Sequence, residues 1–474
     1  MGGKILSVAS ECVPLIKTGG LADVVGALPG ALASLCWQMR TLLPAYRPLL
    51  PHLEQMTEVL REAGLFGGPA RVMAGQIAGL DLLLLDAPHL YDRDGGPYSN
   101  AQGDFADNPQ RFAALSWVGA RIAREGVAGW KPDVLHGHDW QAGFAPAYLR
   151  YHGTGGAASV ITVHNIAFQG WADAALIDVL RLPKSAFTAD ALEYYGGLAS
   201  LKAALVTADA ITTVSPTYAA EIMRPEFGMG LEGVIAARAG DVLGILNGVD
   251  PAVWSPELEP IPYSAATLSE KAKNKSALLQ DLKLKIKGPL AIIVSRLTAQ
   301  KGIDLALAAL PEFLDVGGGL VVLGTGDAAF ETALRALAAQ YPAQVSVKIG
   351  YDEAYAHRLF AGGDMVLVPS RFEPCGLTQM YGLAYGTLPV VSAVGGLADT
   401  VIHASPAALS AGAATGVVFH PVDAMGFAGA LRQALRLYQD APTWVKMQRH
   451  AMASDLGWGR AAAEYAALYQ RLIK

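Results

Sequence analysis

Residues 289–295 read PLAIIVS, continue as RLTAQK at 296–301, and run on into GIDLALAALPEFL at 302–314. A short, wholly apolar run rich in Ile, Leu and Val is what a strand covered on both faces needs, and the segment behind it carries a helical period. The alternation recurs. LVVLG (320–324) precedes FETALRALAAQ (330–340), VSVKIG (345–350) precedes EAYAHRLFAG (353–362), and MVLVP (365–369), LPVVSA (388–393) and VVFHP (417–421) follow. Each interval leaves room for one crossover helix, so the series predicts βαβ units and a parallel, doubly wound α/β sheet.

The amino half repeats the theme less regularly, with strand candidates KILSVAS (4–10), TLLP (41–44), DLLLLDAP (81–88), DVLHGHD (133–139), SVITVHN (159–165), AITTVSP (210–216) and VLGILNG (242–248). The turn-rich, aperiodic stretch NGVDPAVWSP (247–256) marks the boundary between the halves. Open α/β sheets take ligands beyond the carboxyl ends of their strands, so two such edges facing each other would form a deep cleft.

The chain has 474 residues, which at about 150 residues per domain predicts roughly two to four domains. Apolar residues make up 52% and charged residues 16%, the signature of a large, well-buried globular protein. With 36 Lys and Arg against 42 Asp and Glu the net charge is −6, which excludes a general basic field for nucleic acid or anionic membrane. The only basic run, Lys271, Lys273, Lys275, Lys283, Lys285 and Lys287, reads as a solvated face. No apolar run approaches the about 20 residues of a membrane span, and the stretch ILSVASECVPLI (5–16), interrupted by Ser7, Ser10 and Glu11, reads as a first strand rather than a secretory segment. Three scattered cysteines predict no disulfide framework and a reducing, cytoplasmic setting.

Several strand ends carry chemistry. Lys17 stands beside Gly19 and Gly20 just ahead of a helical pattern; tandem glycines and a helix amino end favour an anion, although Gly-Gly also serves as a plain hinge. Arg296 and Lys301 follow one strand end and suit a diphosphate, one as a planar fork and the other as a point charge, with surface salt bridging as the alternative. GTGD (324–327) lacks the full dinucleotide fingerprint, so an oxidoreductase is a poor reading. In SRFEPCGLTQ (370–379), Glu373 can hold sugar hydroxyls while amides at the following helix amino end take a phosphate. His136, His138 and Asp139 fit a polar strand end lining the cleft better than a metal site, since no completing ligand pattern is present. GGLAD occurs at 19–23 and 395–399, too short and too irregularly placed for a repeat.

Taken together and in order, KTGGLADVVGALP, HGHDWQAG, TVHNIAFQG, VSRLTAQKGIDL, PSRFEPCGLTQMYGLAYGTLPVV and GGLADTV resemble the bacterial glycogen synthase and starch synthase family, over about residues 4 to 460. The resemblance implies the GT-B fold: two Rossmann-like doubly wound parallel-sheet domains facing across a deep cleft. Residues 1–248, joined by a C-terminal helix at about 456–474, would form the acceptor-side domain, and 249–455 the nucleotide-sugar-binding domain. It implies transfer of glucose from ADP-glucose to the 4-hydroxyl at the non-reducing end of an α-1,4-glucan, with retention, no essential metal and no cofactor. Partners would be ADP-glucose and glycogen, with no nucleic acid and no membrane. A chain that starts at its first strand, without a transit peptide, fits a bacterial enzyme.

Residue by residue, the family motifs place Lys17, Gly20 and Asp23 at the sugar nucleotide, Arg296 and Lys301 at the diphosphate, and Tyr351 beside the adenine. Gly376, Leu377 and Thr378 offer amides to the distal phosphate; Glu373 meets the donor glucose with Cys375 close by. Asp139 and His164 face the sugar from the other domain, while Tyr98 and Asn165 belong to the acceptor side. Glu373, His164, Arg296 and Lys301 are the catalytic candidates. Where many retaining relatives carry a second glutamate, this sequence has Tyr381, so no carboxylate pair is assigned. With Lys17 before the boundary and Arg296, Lys301 and Glu373 after it, catalysis is expected to need closure of the two halves. The rival readings are a UDP-glucose-dependent enzyme of the same fold and an inactive glucan-binding protein.

Overall fold

The computed structural model describes residues 2–153 and 156–473. It divides into two units, Met1–Gly248 with Trp458–Lys474, and Val249–Gly457.

Unit 1 is built on a nine-stranded sheet of β1 (Lys4–Val8), β2 (Gln38–Pro44), β3 (Thr57–Leu65), β4 (Gly68–Ile77), β5 (Leu80–Asp86), β6 (Val134–His138), β7 (Ala158–Val163), β8 (Ala210–Thr213) and β9 (Val242–Gly244). Its order is β9-β8-β7-β6-β1-β2-β5-β4-β3, parallel from β9 through β5. The antiparallel β3–β4 hairpin at the edge was not expected from the sequence. Its strands are half exposed and broken by Glu58, Arg61 and Glu62, so they lack the continuous apolar run of a doubly covered strand. A turn with positive φ at Phe66 and Gly67 joins them.

The helix Trp458–Leu472 belongs to unit 1. Its Trp458, Ala461, Ala462, Tyr465, Leu468 and Tyr469 recur at helical spacing and bury against Val24, Leu28 and Leu32 of the helix Gly20–Ala33 and against Trp37 and Met39. The Tyr469 hydroxyl also reaches the sheet, 2.7 Å from Nδ1 of fully buried His136, whose Nε2 lies 2.6 Å from the Thr162 hydroxyl. Tyr469→Phe should therefore strand a buried ring nitrogen, at a cost of about 1–3 kcal/mol. Differential scanning calorimetry should show a lower Tm, by about 2–4 °C for each kcal/mol lost; an unchanged Tm would show that this contact contributes nothing.

Unit 2 carries β10 (Leu290–Val294), β11 (Gly319–Gly324), β12 (Val345–Ile349), β13 (Met365–Val368), β14 (Leu388–Ser392) and β15 (Val417–Phe419), all parallel, in the order β12-β11-β10-β13-β14-β15. Alternate residues enter different cores. Ala291, Ile293, Val322 and Leu367 face one side, while Leu290, Ile292, Val321 and Val366 face the other. The central strands, such as LAIIV at 290–294, are thus apolar throughout, which is the pattern that made them legible, whereas the edge strand VSVKI (345–349) carries Ser346 and Lys348.

The lysine run is not a uniform solvated face. Lys271 and Lys275, one turn apart on the helix Lys271–Asp281, are turned inward, and charge counting along the sequence ignores that period. The buried Lys271 ammonium donates to the Phe360 and Ala361 carbonyls (both 2.9 Å), the Thr387 hydroxyl (2.8 Å) and the Tyr263 hydroxyl (3.1 Å). Lys275 pairs with Asp364 at 2.6 Å.

Candidate functional site

Both sheets change direction at a switch point, between β10 and β13 in unit 2 and between β1 and β6 in unit 1. These are the places where the carboxyl ends of parallel strands leave room for a ligand.

In unit 2, β10 runs out into Arg296 and a turn at Ala299–Lys301, and β13 runs out into the loop that carries Glu373. Lys301 Nζ lies 2.5 Å from Glu373 Oε2, with both side chains largely buried, and the Ser370 hydroxyl donates to the same oxygen at 2.9 Å. Gly302 makes this approach possible: its φ is +67°, and a Cβ there would stand 1.9 Å from the Pro369 carbonyl oxygen. Arg296 is exposed and donates to Gln300 Oε1 at 3.0 Å. Gly376, at φ +72°, and Leu377 lead into the helix Thr378–Tyr385, whose Thr378 hydroxyl bonds the Val294 carbonyl at 3.3 Å and so ties that helix to the end of β10. Cys375 is buried in the same loop. Tyr351 stands past the end of β12, 76% exposed, with its hydroxyl donating to Glu353 at 2.7 Å.

In unit 1, the loop after β1 is organised by a residue the sequence reading did not single out. Buried Glu11 accepts from the Thr18 amide, the Thr18 hydroxyl (2.6 Å), the Gly19 amide (3.2 Å) and the Tyr98 hydroxyl. Tyr98, expected on the acceptor side, is thereby bound to the glycine loop, and the Ser10 hydroxyl lies 2.7 Å from its oxygen. The available signal was a carboxylate shortly before T-G-G, able to meet amides at a helix amino end. Lys17 pairs with Asp23 at 2.8 Å. Gly19 has extended backbone, and a Cβ there would meet nothing within 4 Å, so packing within the chain does not demand glycine at that position.

After β6, Asp139 adopts φ +53° and ψ −167°, a conformation that costs a non-glycine residue on the order of 1–3 kcal/mol and concentrates at functional sites. Its carboxylate accepts from the His164 amide at 2.6 Å and the Asn165 amide at 3.3 Å. The Asn165 side chain turns back to the Ala167 amide at 3.0 Å. His136 and His138 do not line a cleft, as their strand-end position suggested: both are fully buried, with rings 4.3 Å apart. They point from one face of a sheet that the C-terminal helix covers, which a strand-end motif cannot reveal. Among the described residues no three His, Cys, Asp or Glu side chains are grouped so as to hold a metal ion.

Burial holds the rings of His136 and His164 down to about 3 and His138 well below the usual histidine range, while it lifts the Asp139 carboxyl to about 7 against the pull of its two amide donors. Between about pH 6 and 4 the unfolded chain therefore binds three histidine protons that the folded chain refuses, and the folded chain keeps one Asp139 proton that the unfolded chain releases. The net difference of two protons favours unfolding as pH falls, by up to about 3 kcal/mol per pH unit. The midpoint of urea unfolding should drop clearly from pH 6 to pH 5. An unchanged midpoint would show that the folded chain binds as many of these protons as the unfolded chain, which neutral rings do not allow.

Two further features explain sequence anomalies. Tyr381 stacks on Trp254 with ring centroids 3.7 Å apart, so an aromatic occupies the position of the absent second glutamate for packing. The second GGLAD opens the helix Gly395–Thr400 against the Glu373 loop: the Gly396 amide donates to the Glu373 carbonyl at 3.1 Å, and a Cβ on Gly395 would stand 2.0 Å from that oxygen. These two glycines set the backbone that carries Glu373.

Two largely parallel sheets with phosphate-suited and sugar-suited groups at their switch points define a glycosyltransferase of the GT-B fold. Residues 4–237 match the family of starch synthase catalytic domains, and residues 274–451 match the glycosyl transferases of group 1. The chain belongs to the glycogen synthase family. It is 66% identical over 472 residues to a glycogen synthase of Cereibacter sphaeroides and 54% identical over 472 residues to one of Paracoccus denitrificans, in each case over 99% of both chains. Among solved structures it resembles the catalytic domain of starch synthase IV from Arabidopsis thaliana bound to ADP and acarbose, with a TM-score of 0.89, 30% identity and all of both chains covered. No helix among the described residues is long and apolar enough to cross a membrane.

Proposed function

We propose that the protein transfers glucose from ADP-glucose to the 4-hydroxyl at the non-reducing end of an α-1,4-glucan, with retention at the anomeric carbon. The observation that carries this reading is the Lys301–Glu373 pair beside an exposed Arg296 and a helix amino end, all at the unit 2 switch point. Departing ADP gains negative charge, and Arg296, Lys301 and the amides of Gly376, Leu377 and Thr378 are preplaced to stabilise it more than they stabilise the ground state. Glu373 opposes the positive charge that develops on glucose. Unit 1 contributes Lys17, Gly20 and Asp23 toward the donor, Asp139 and His164 toward the sugar, and Tyr98 and Asn165 toward the acceptor. Tyr351 lies beside the adenine, and Cys375 supports the Glu373 loop without a covalent role. The reading needs neither metal nor cofactor and carries a cytoplasmic location, which suits cysteines that form no disulfide.

The test is transfer of labelled glucose from ADP-glucose and from UDP-glucose to glycogen, with and without EDTA. Preferential incorporation from ADP-glucose that survives EDTA supports the reading. Preference for UDP-glucose would favour the rival donor, and no incorporation from either would favour a glucan-binding protein.

A further inference from the structure

His138 ends β6 and His164 follows the end of β7. Nδ1 of His138 lies 3.0 Å from Nε2 of His164, and Nε2 of His138 is buried with no hydrogen-bond partner. Nδ1 of His164 makes no bond to protein among the described residues, while the His164 amide is anchored on Asp139. Both rings are neutral, since burial depresses both.

A neutral imidazole holds one proton, so the bond between the rings can be shared in only two ways. If His164 donates from Nε2, His138 must carry its own proton on Nε2, where a buried N–H would face no acceptor. If His138 donates from Nδ1, its Nε2 is a bare lone pair. Each arrangement leaves one N–H without a protein partner among the described residues, on His138 Nε2 in the first and on His164 Nδ1 in the second; only His138 Nε2 is sealed from the surroundings, and a sealed N–H is the costlier, so the second arrangement wins. His164 then accepts at Nε2 and carries its proton on Nδ1.

We propose that His138 is a positioning residue that fixes His164 as the Nδ1–H tautomer, so that His164 presents a hydrogen-bond donor, not an acceptor, to an oxygen of the bound sugar. The inference rests on the reading above that His164 faces the sugar. His138 itself is fully buried and acts only through its neighbour.

The test uses the full chain labelled with 15N-histidine, with His164 assigned by the signal lost in His164→Asn. Long-range proton–nitrogen NMR should show His164 protonated at Nδ1 and bare at Nε2. His138→Asn keeps an amide donor near the position of Nδ1; it should keep that tautomer and stay within about threefold of wild-type kcat. His138→Leu removes the donor; His164 should shift toward the Nε2–H form, and kcat should fall at least tenfold with a smaller change in KM for donor. A wild-type His164 protonated on Nε2 overturns the proposal, whether or not the leucine variant folds. So do equal losses of activity in the Asn and Leu variants with the same tautomer in both. Absence of transfer in the wild-type protein would defeat the functional reading alone, because the tautomer pattern is read without turnover.

Discussion

Lys301→Ala should lower kcat for glucosyl transfer by about 10²- to 10³-fold while changing KM for donor much less, as expected when a preplaced charge acts mainly in the transition state. Arg296→Ala should behave similarly, but the two differ in what they leave behind. Arg296 is exposed and hydrogen-bonded to Gln300, so its loss leaves the surroundings intact. Lys301 is the charge partner of the buried Glu373 carboxylate, which among the described residues would then keep only the Ser370 hydroxyl. Lys301→Ala should therefore also lower thermal stability, and Arg296→Ala should not. Near-normal kcat in both variants would remove the diphosphate assignment.

The second large effect is expected at Glu373. Glu373→Gln keeps the shape and removes the charge, and kcat should fall by about 10²-fold or more if that charge opposes the developing cation. Because Glu373 and Lys301 are in contact at 2.5 Å, the double variant should lose less than the product of the single losses. Cys375→Ser should be mild, since the thiol performs no covalent step. Full activity in Glu373→Gln, or a covalent adduct trapped on Cys375, would overturn this division of roles.

The parallel strands of both sheets were legible in the sequence because a strand buried on two faces is predominantly apolar along its whole length, as in LAIIV at 290–294. The site candidates were legible for a related reason: groups suited to phosphates and sugars sit where strands end and helices begin, and Lys17, Arg296, Lys301 and Glu373 all stand in such loops. The β3–β4 hairpin was not, because half-exposed edge strands alternate too irregularly to stand out. Nor was the fate of polar residues, which depends on what packs over them. Lys271 and His136 are buried because other segments bring carbonyls and hydroxyls to them, Glu11 meets Tyr98 across 87 positions of chain, and Gly395 and Gly396 matter through their contact with the Glu373 backbone. Local pattern thus determined the sheets and the loops that hold the chemistry. Only tertiary contact decided which charges are paired, which histidines are neutral and which nitrogen of His164 meets a neighbour, because hydrogen bonding and desolvation are set by groups distant in sequence.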